Sequence, residues 1–203
     1  MDCRALGEFG GRAMSHYPLA LYLHIVGALG FFVALGLEWM SVRQLRRAQH
    51  VGQIRDWAKI SAGSGKVGMP SMLLLLLSGA FMTLSVWGAV PWVLVTLGAI
   101  VLLIVLALML SRRRMAAIER AMAGEEGAVS PALRQLAHHP LLWLAIQTRV
   151  AIALGIVFLM TVKPDLAGSL LTIGIAAGLG LGSATLFQRH RQAQAGLERG
   201  LAS

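Results

Sequence analysis

Residues 17–40 read YPLALYLHIVGALGFFVALGLEWM, with His24 and Glu38 as the only ionisable side chains apart from two tyrosines. As a helix this run is about 36 Å long at 1.5 Å per residue, enough to cross a hydrocarbon core of about 30 Å. Arginines close it at Arg43, Arg46 and Arg47. Four further stretches share the pattern: Met69–Val90, Pro91–Leu110, Pro140–Val162 and Leu166–Phe187. Lipid is the solvent this chain is written for. The predicted fold is an all-α membrane bundle of five transmembrane helices, with a short tail over 1–16, loops over 41–68 and 111–139, and a second tail over 191–203.

Composition agrees. Charged residues make up 13% of the 203 positions, about half their share in a soluble domain, and the five spans leave no room for a separate soluble catalytic domain. The formal charge of +9 would suggest nucleic acid in a soluble protein, but its distribution gives another reason. Placing the first helix out-to-in puts fourteen basic residues inside: Arg43, Arg46, Arg47, Arg55, Lys59 and Lys66; Arg112, Arg113, Arg114, Arg120 and Arg134; Arg189, Arg191 and Arg199. Arg4, Arg12 and Lys163 fall outside. Cytoplasmic loops collect Lys and Arg, so the N-terminus is expected outside, the C-terminus inside, and nucleic acid is not an expected partner.

The one cysteine, Cys3, rules out an intrachain disulfide. Residues 1–16 lack the basic start and apolar centre of a cleavable signal peptide. Met14 opens a stretch that reads as a natural beginning, so residues 1–13 are either an external tail or precede the true start. Pro18 suits the first turn of helix 1, where a missing N–H costs nothing. Ile54, Trp57 and Ile60 recur at helical spacing beside Arg55, Asp56 and Lys59, which fits either a short interfacial helix or a solvated loop. SAGSGKVG (61–68) fails as a phosphate loop, because Ile60 and Val67 stand where glycine and Ser or Thr are needed; Gly63 and Gly65 then read as a hinge into helix 2. Helix 3 keeps its register through Met115, Ile118 and Met122 until Gly124–Gly127, and Ser130 with Pro131 begins a new helical piece.

Helix 5 carries Gly174, Gly178 and Gly182 four residues apart, a small-residue ridge for close helix approach. It serves packing within the bundle or a homo-oligomer face. Ser71, Ser78 and Ser85 form a comparable polar stripe on helix 2.

Ionisable residues at membrane depth mark function by default. Arg149 lies nine residues into helix 4, about 14 Å from its start, deeper than its side chain reaches by snorkelling. It either pairs with carbonyls or Glu38, or binds an anionic group such as a haem propionate, a lipid phosphate or a substrate carboxylate. His24 lies in the outer half of helix 1, at the depth of Met82 and Met160. It is a packing residue or, with a thioether, a ligand to haem b iron or copper. Glu38 reads as an interfacial anchor beside Trp39. No Ser/His/Asp or paired-carboxylate set shares one depth, so hydrolysis of a soluble substrate is not expected.

LHIVGALGFFVALGLEW (23–39), RQLRRA (43–48), PSMLLLLLSGAF (70–81) and FLMTVKPD (158–165) together resemble an uncharacterised family of bacterial inner-membrane proteins, distantly similar to the membrane region of copper-resistance protein D. The resemblance implies an inner-membrane location and a histidine near the external side of helix 1, here His24, with metal or haem handling. The chain departs from it in lacking the several intramembrane histidines of a dedicated copper carrier. Three roles follow: a metal or small-anion binding or transport accessory, a haem b redox protein using His24, and an assembly subunit joined to a membrane partner through the helix 5 ridge.

Overall fold

The computed structural model describes the backbone of residues 3–88 and 90–201 and the side chains of residues 16–88 and 90–183. The expectations for Cys3, Arg4, Arg12, Met14, Phe187, Arg189, Arg191 and Arg199 concern side chains outside this range. The described residues are helical, and five helices among them are long and apolar enough to cross a membrane.

Helix α1 (Cys3–Leu45) is followed after a short turn by α2 (Val51–Met82), which passes into a π-helical turn over Thr83–Trp87. Helix α3 (Pro91–Leu106) also ends in a π-helical turn, Ala107–Arg112, and continues as α4 (Arg113–Ala121). The short α5 (Pro131–Ala137) precedes α6 (Pro140–Val162) and α7 (Leu166–Leu201).

Helices α1 and α2 form an antiparallel pair closed by small residues. A Cβ placed on Gly27 meets Leu75 at 3.1 Å, one on Gly30 would overlap the Ser71 hydroxyl, and one on Gly68 meets Ala34 at 3.2 Å. In lipid, dispersion drives helix association and small residues permit it. Helix α6 is the central element: half of its most apolar window is buried, against 6% for α2. Leu142, Ile146, Ile152 and Leu159 on α6 are all at most 1% exposed. Outward-facing residues such as Met69, Leu84 and Leu171 are large, apolar and at least 64% exposed, as a lipid-facing surface requires.

Several sequence expectations change at the basic end. Residues 51–68 are neither a separate interfacial helix nor a loop: α2 runs unbroken through Gly63 and Gly65, where no hinge forms. Burial of Ile54, Ala58 and Ser64 outweighs the helix penalty of about 1 kcal/mol per glycine. Pro18 lies inside α1, not in its first turn. Other expectations stand. Ile118 and Met122 are buried, Gly124 and Gly127 adopt φ of 88° and 81°, and the Ser130 hydroxyl accepts the Leu133 N–H as the N-cap of α5.

The segment over 113–137 folds back as a cap on the α1–α2 hairpin, burying Ile118, Val129 and Leu133 against Leu45, Val51 and Ile54. Two backbone bonds pin it: Val51 N–H to Gly127 O at 3.0 Å and Val129 N–H to Gln49 O at 3.1 Å.

Candidate functional site

Arg149, on the central helix, is 8% exposed. Its Nη1 donates to Glu38 Oε1 at 2.5 Å and to the Ser111 hydroxyl at 3.3 Å. The site therefore joins α1, the π-helical turn after α3, and α6. Glu38 stands two residues before Met40, where the apolar run of α1 ends, about 3 Å along the axis, so the pair sits just inside the apolar part of the bundle at its basic end. The Arg149–Glu38 pair is the ion pair found among the described residues. Arg149 Nε is buried without a hydrogen-bond partner, as is the Thr148 hydroxyl beside it in sequence.

The π-helical turn has a consequence for the site. One extra residue per turn shifts the register of the helix, and Ser111 is the only buried residue of that turn. A buried hydroxyl is thus presented to Arg149 directly before the Arg112–Arg114 run.

Toward the basic end an aromatic stack covers the pair. Trp39, next to Glu38, donates from Nε1 to Gln147 Oε1 at 2.7 Å. Its ring lies 6.1 Å from that of Trp143. Arg43 sits over Trp39 at 5.5 Å and Arg46 over Trp143 at 5.4 Å, each within cation–π range.

His24 occupies a different place. Its Nδ1 is 3.1 Å from the Ser78 hydroxyl, and that hydroxyl donates its own proton to Leu74 O at 2.6 Å. Ser78 must therefore accept, which puts the proton of His24 on Nδ1 and makes Nε2 the acceptor nitrogen. The ring edge packs on α2, with Cε1 3.2 Å from where a Cβ on Gly79 would be. This is a helix-pairing geometry. Among the described residues no group of three or more His, Cys, Asp or Glu side chains is arranged to hold a metal ion. Met82 and Met160 are both half-buried, and no contact joins either to His24 among those described.

The glycine ridge of α7 faces away from its neighbour. A Cβ at Gly174, Gly178 or Gly182 would meet no atom within 4 Å. The α6–α7 contact runs instead through Gly180, whose Cβ position is 2.5 Å from Thr148 Cα, and through Ala176, whose Cβ is 3.0 Å from that position on Gly155.

Sequence reasoning named Glu38 as one possible partner of Arg149 and did not find Ser111, Gln147 or the tryptophan stack. Ser111 carries no periodic signal, and nothing in the sequence marks the π-helical turn over Ala107–Arg112 in which it is buried. Comparison with family models, with curated proteins and with solved structures finds no match to this chain.

Proposed function

We propose that this chain is a multi-pass protein of the bacterial inner membrane, N-terminus outside, that binds a small anion at Arg149 and acts as a binding or transport accessory. One observation carries the reading: a buried guanidinium at membrane depth, one nitrogen shared between Glu38 and Ser111 and Nε buried with no protein partner. Stability alone is a poor reason for such an arrangement, because desolvating two charges offsets most of their attraction. Intramembrane charges facing a bundle interior mark ion and substrate pathways. Arginine also presents a planar fork suited to carboxylates and related oxyanions. In this reading Glu38 is the internal counter-anion, and an incoming anion competes with it for Arg149. The asymmetry of Lys and Arg between the two ends supports the orientation.

The test is calorimetric titration of the purified full chain in neutral detergent with formate, acetate and nitrate. Glu38→Gln removes the internal competitor and should tighten binding of at least one anion by about tenfold. Glu38→Gln/Arg149→Met should abolish that binding. Binding that is absent from every variant, or that survives the loss of Arg149, overturns the proposal.

A further inference from the structure

The basic end of the bundle holds a second feature, separate from the Arg149 site. A pocket of about 440 Å³ opens between the end of α1 and the α5–α6 junction, lined by Arg46, Arg47 and Arg134 together with His50 and His138. No carboxylate lines it. Among the described residues neither Arg47 nor Arg134 forms an ion pair, and Glu125 of the same cap accepts the Ser130 hydroxyl at 2.8 Å.

The pocket is built by tertiary structure and is more than a run of basic residues. Arg46, Arg47 and His50 come from the α1–α2 turn, while Arg134 and His138 lie about ninety residues later in the chain. The bridge between His50 and Ala128 holds the two segments together. His138 Nδ1 is fixed at 2.9 Å from Arg134 O, where it donates and leaves Nε2 for another partner. Arg46 is held against Trp143. His50 is also the N-cap of α2 and makes no side-chain capping bond, so the positive end of a long helix dipole lies at the rim.

Depth selects the ligand. Arg46 lies six residues beyond Met40, where the apolar run of α1 ends, about 9 Å further along the helix. That is just past the outer edge of the headgroup layer, ~5–8 Å thick on each side, from which an arginine side chain reaches back to headgroup phosphates. Arginine forks match phosphate oxygens, and basic pockets between transmembrane helices accept anionic headgroups. We infer that this pocket binds a phosphate group, either the headgroup of an anionic phospholipid or free orthophosphate. The inference does not depend on the role given to Arg149.

The experiment uses the full chain purified in neutral detergent, with bound lipid counted by native mass spectrometry during titration with phosphatidylglycerol or phosphatidylcholine. A parallel calorimetric titration uses inorganic phosphate. Arg47→Gln/Arg134→Gln removes two exposed pocket charges. Arg55→Gln/Lys59→Gln removes two exposed charges from α2 outside the pocket and matches the first variant in net charge. Each basic residue near a membrane surface contributes about fivefold to anionic-lipid affinity. The pocket variant should therefore bind phosphatidylglycerol, or orthophosphate, about 10- to 30-fold more weakly, and the control should stay within twofold of wild type. Phosphatidylglycerol binding without a response to orthophosphate identifies the lipid as the source. Orthophosphate binding that Arg47→Gln/Arg134→Gln abolishes identifies the free ion. Equal weakening in both variants, or no preference for either phosphate ligand over phosphatidylcholine, overturns the inference.

Discussion

Removing one member of the Glu38–Arg149 pair should cost far more than removing both. The two side chains are 17% and 10% exposed, so water screens them little, and breaking a buried pair on one side costs about 3–5 kcal/mol. In Arg149→Met the Glu38 carboxylate loses its guanidinium partner. In Glu38→Gln the guanidinium keeps Ser111 and gains a neutral amide oxygen, so the loss should sit at the lower end, about 3 kcal/mol. In Glu38→Gln/Arg149→Met both charges are gone and an apolar side chain fills the space. Such replacements are near neutral or stabilising, so the double variant should lie within about 1 kcal/mol of wild type, with a coupling energy of at least ~5 kcal/mol. The assay is reversible unfolding in mixed micelles, titrating sodium dodecyl sulfate and following helical circular dichroism for all four proteins. Additive losses, with the double variant as unstable as the two singles combined, would refute the reasoning. They would show that each charge is stabilised by something other than its partner.

Glycines on α7 provide a contrast on one helix. Gly180→Ala places a methyl group 2.5 Å from the Thr148 backbone and should destabilise by about 1–3 kcal/mol through overpacking, whereas Gly178→Ala meets open space and should gain a few tenths from helix propensity. The same detergent titration separates them, and equal behaviour would mean the α6–α7 face is misassigned. Gly127→Ala also has open space around its Cβ but a φ of 81°. It should lose about 1–2 kcal/mol from left-handed strain, seen as faster amide exchange at Val51, whose N–H is bonded to Gly127 O.

The spans were legible because a bilayer imposes a length and an apolar composition, and both survive in a linear text. So were the cap signals at Ser130, Gly124 and Gly127, where one residue type answers one backbone requirement. Hydropathy marks where lipid ends and is silent on where a helix ends, so the run of α2 from Val51 through Gly63 and Gly65 could not be read from it. Periodicity shows that Gly174, Gly178 and Gly182 share a face of α7, but the neighbour sits on the Ala176–Gly180 side. The close approach on α1, through Gly27 and Gly30, uses a three-residue step and only two glycines, so it does not stand out from the other glycines of the run. At the candidate site, Arg149 and Glu38 were visible because charge in an apolar run is conspicuous. Ser111 and Gln147 are ordinary residues whose role depends on contacts distant in sequence, 38 positions for Ser111 with Arg149 and 108 for Gln147 with Trp39.

Three of the helix contacts in the bundle differ in chemistry, and the difference bears on where function resides. Helix α1 meets α2 through glycines and serines, and α6 meets α7 through Gly155, Ala176 and Gly180. Both contacts bring backbones close and bury little charge. The α1–α6 contact instead holds the ion pair, the Trp39–Gln147 bond and the two tryptophans that lean on one another. The tryptophans lie between Glu38–Arg149 and the basic end, with Arg43 and Arg46 on their outer faces. Their bulk keeps water off the pair from that side, and an ion pair strengthens as its effective dielectric falls. An arrangement needed only to hold two helices together could use more glycine, as the other two contacts do. Charge has been placed at this contact despite its desolvation cost, under a covering of aromatic rings, and that is why the anion reading rests on Arg149 and the structural role on His24.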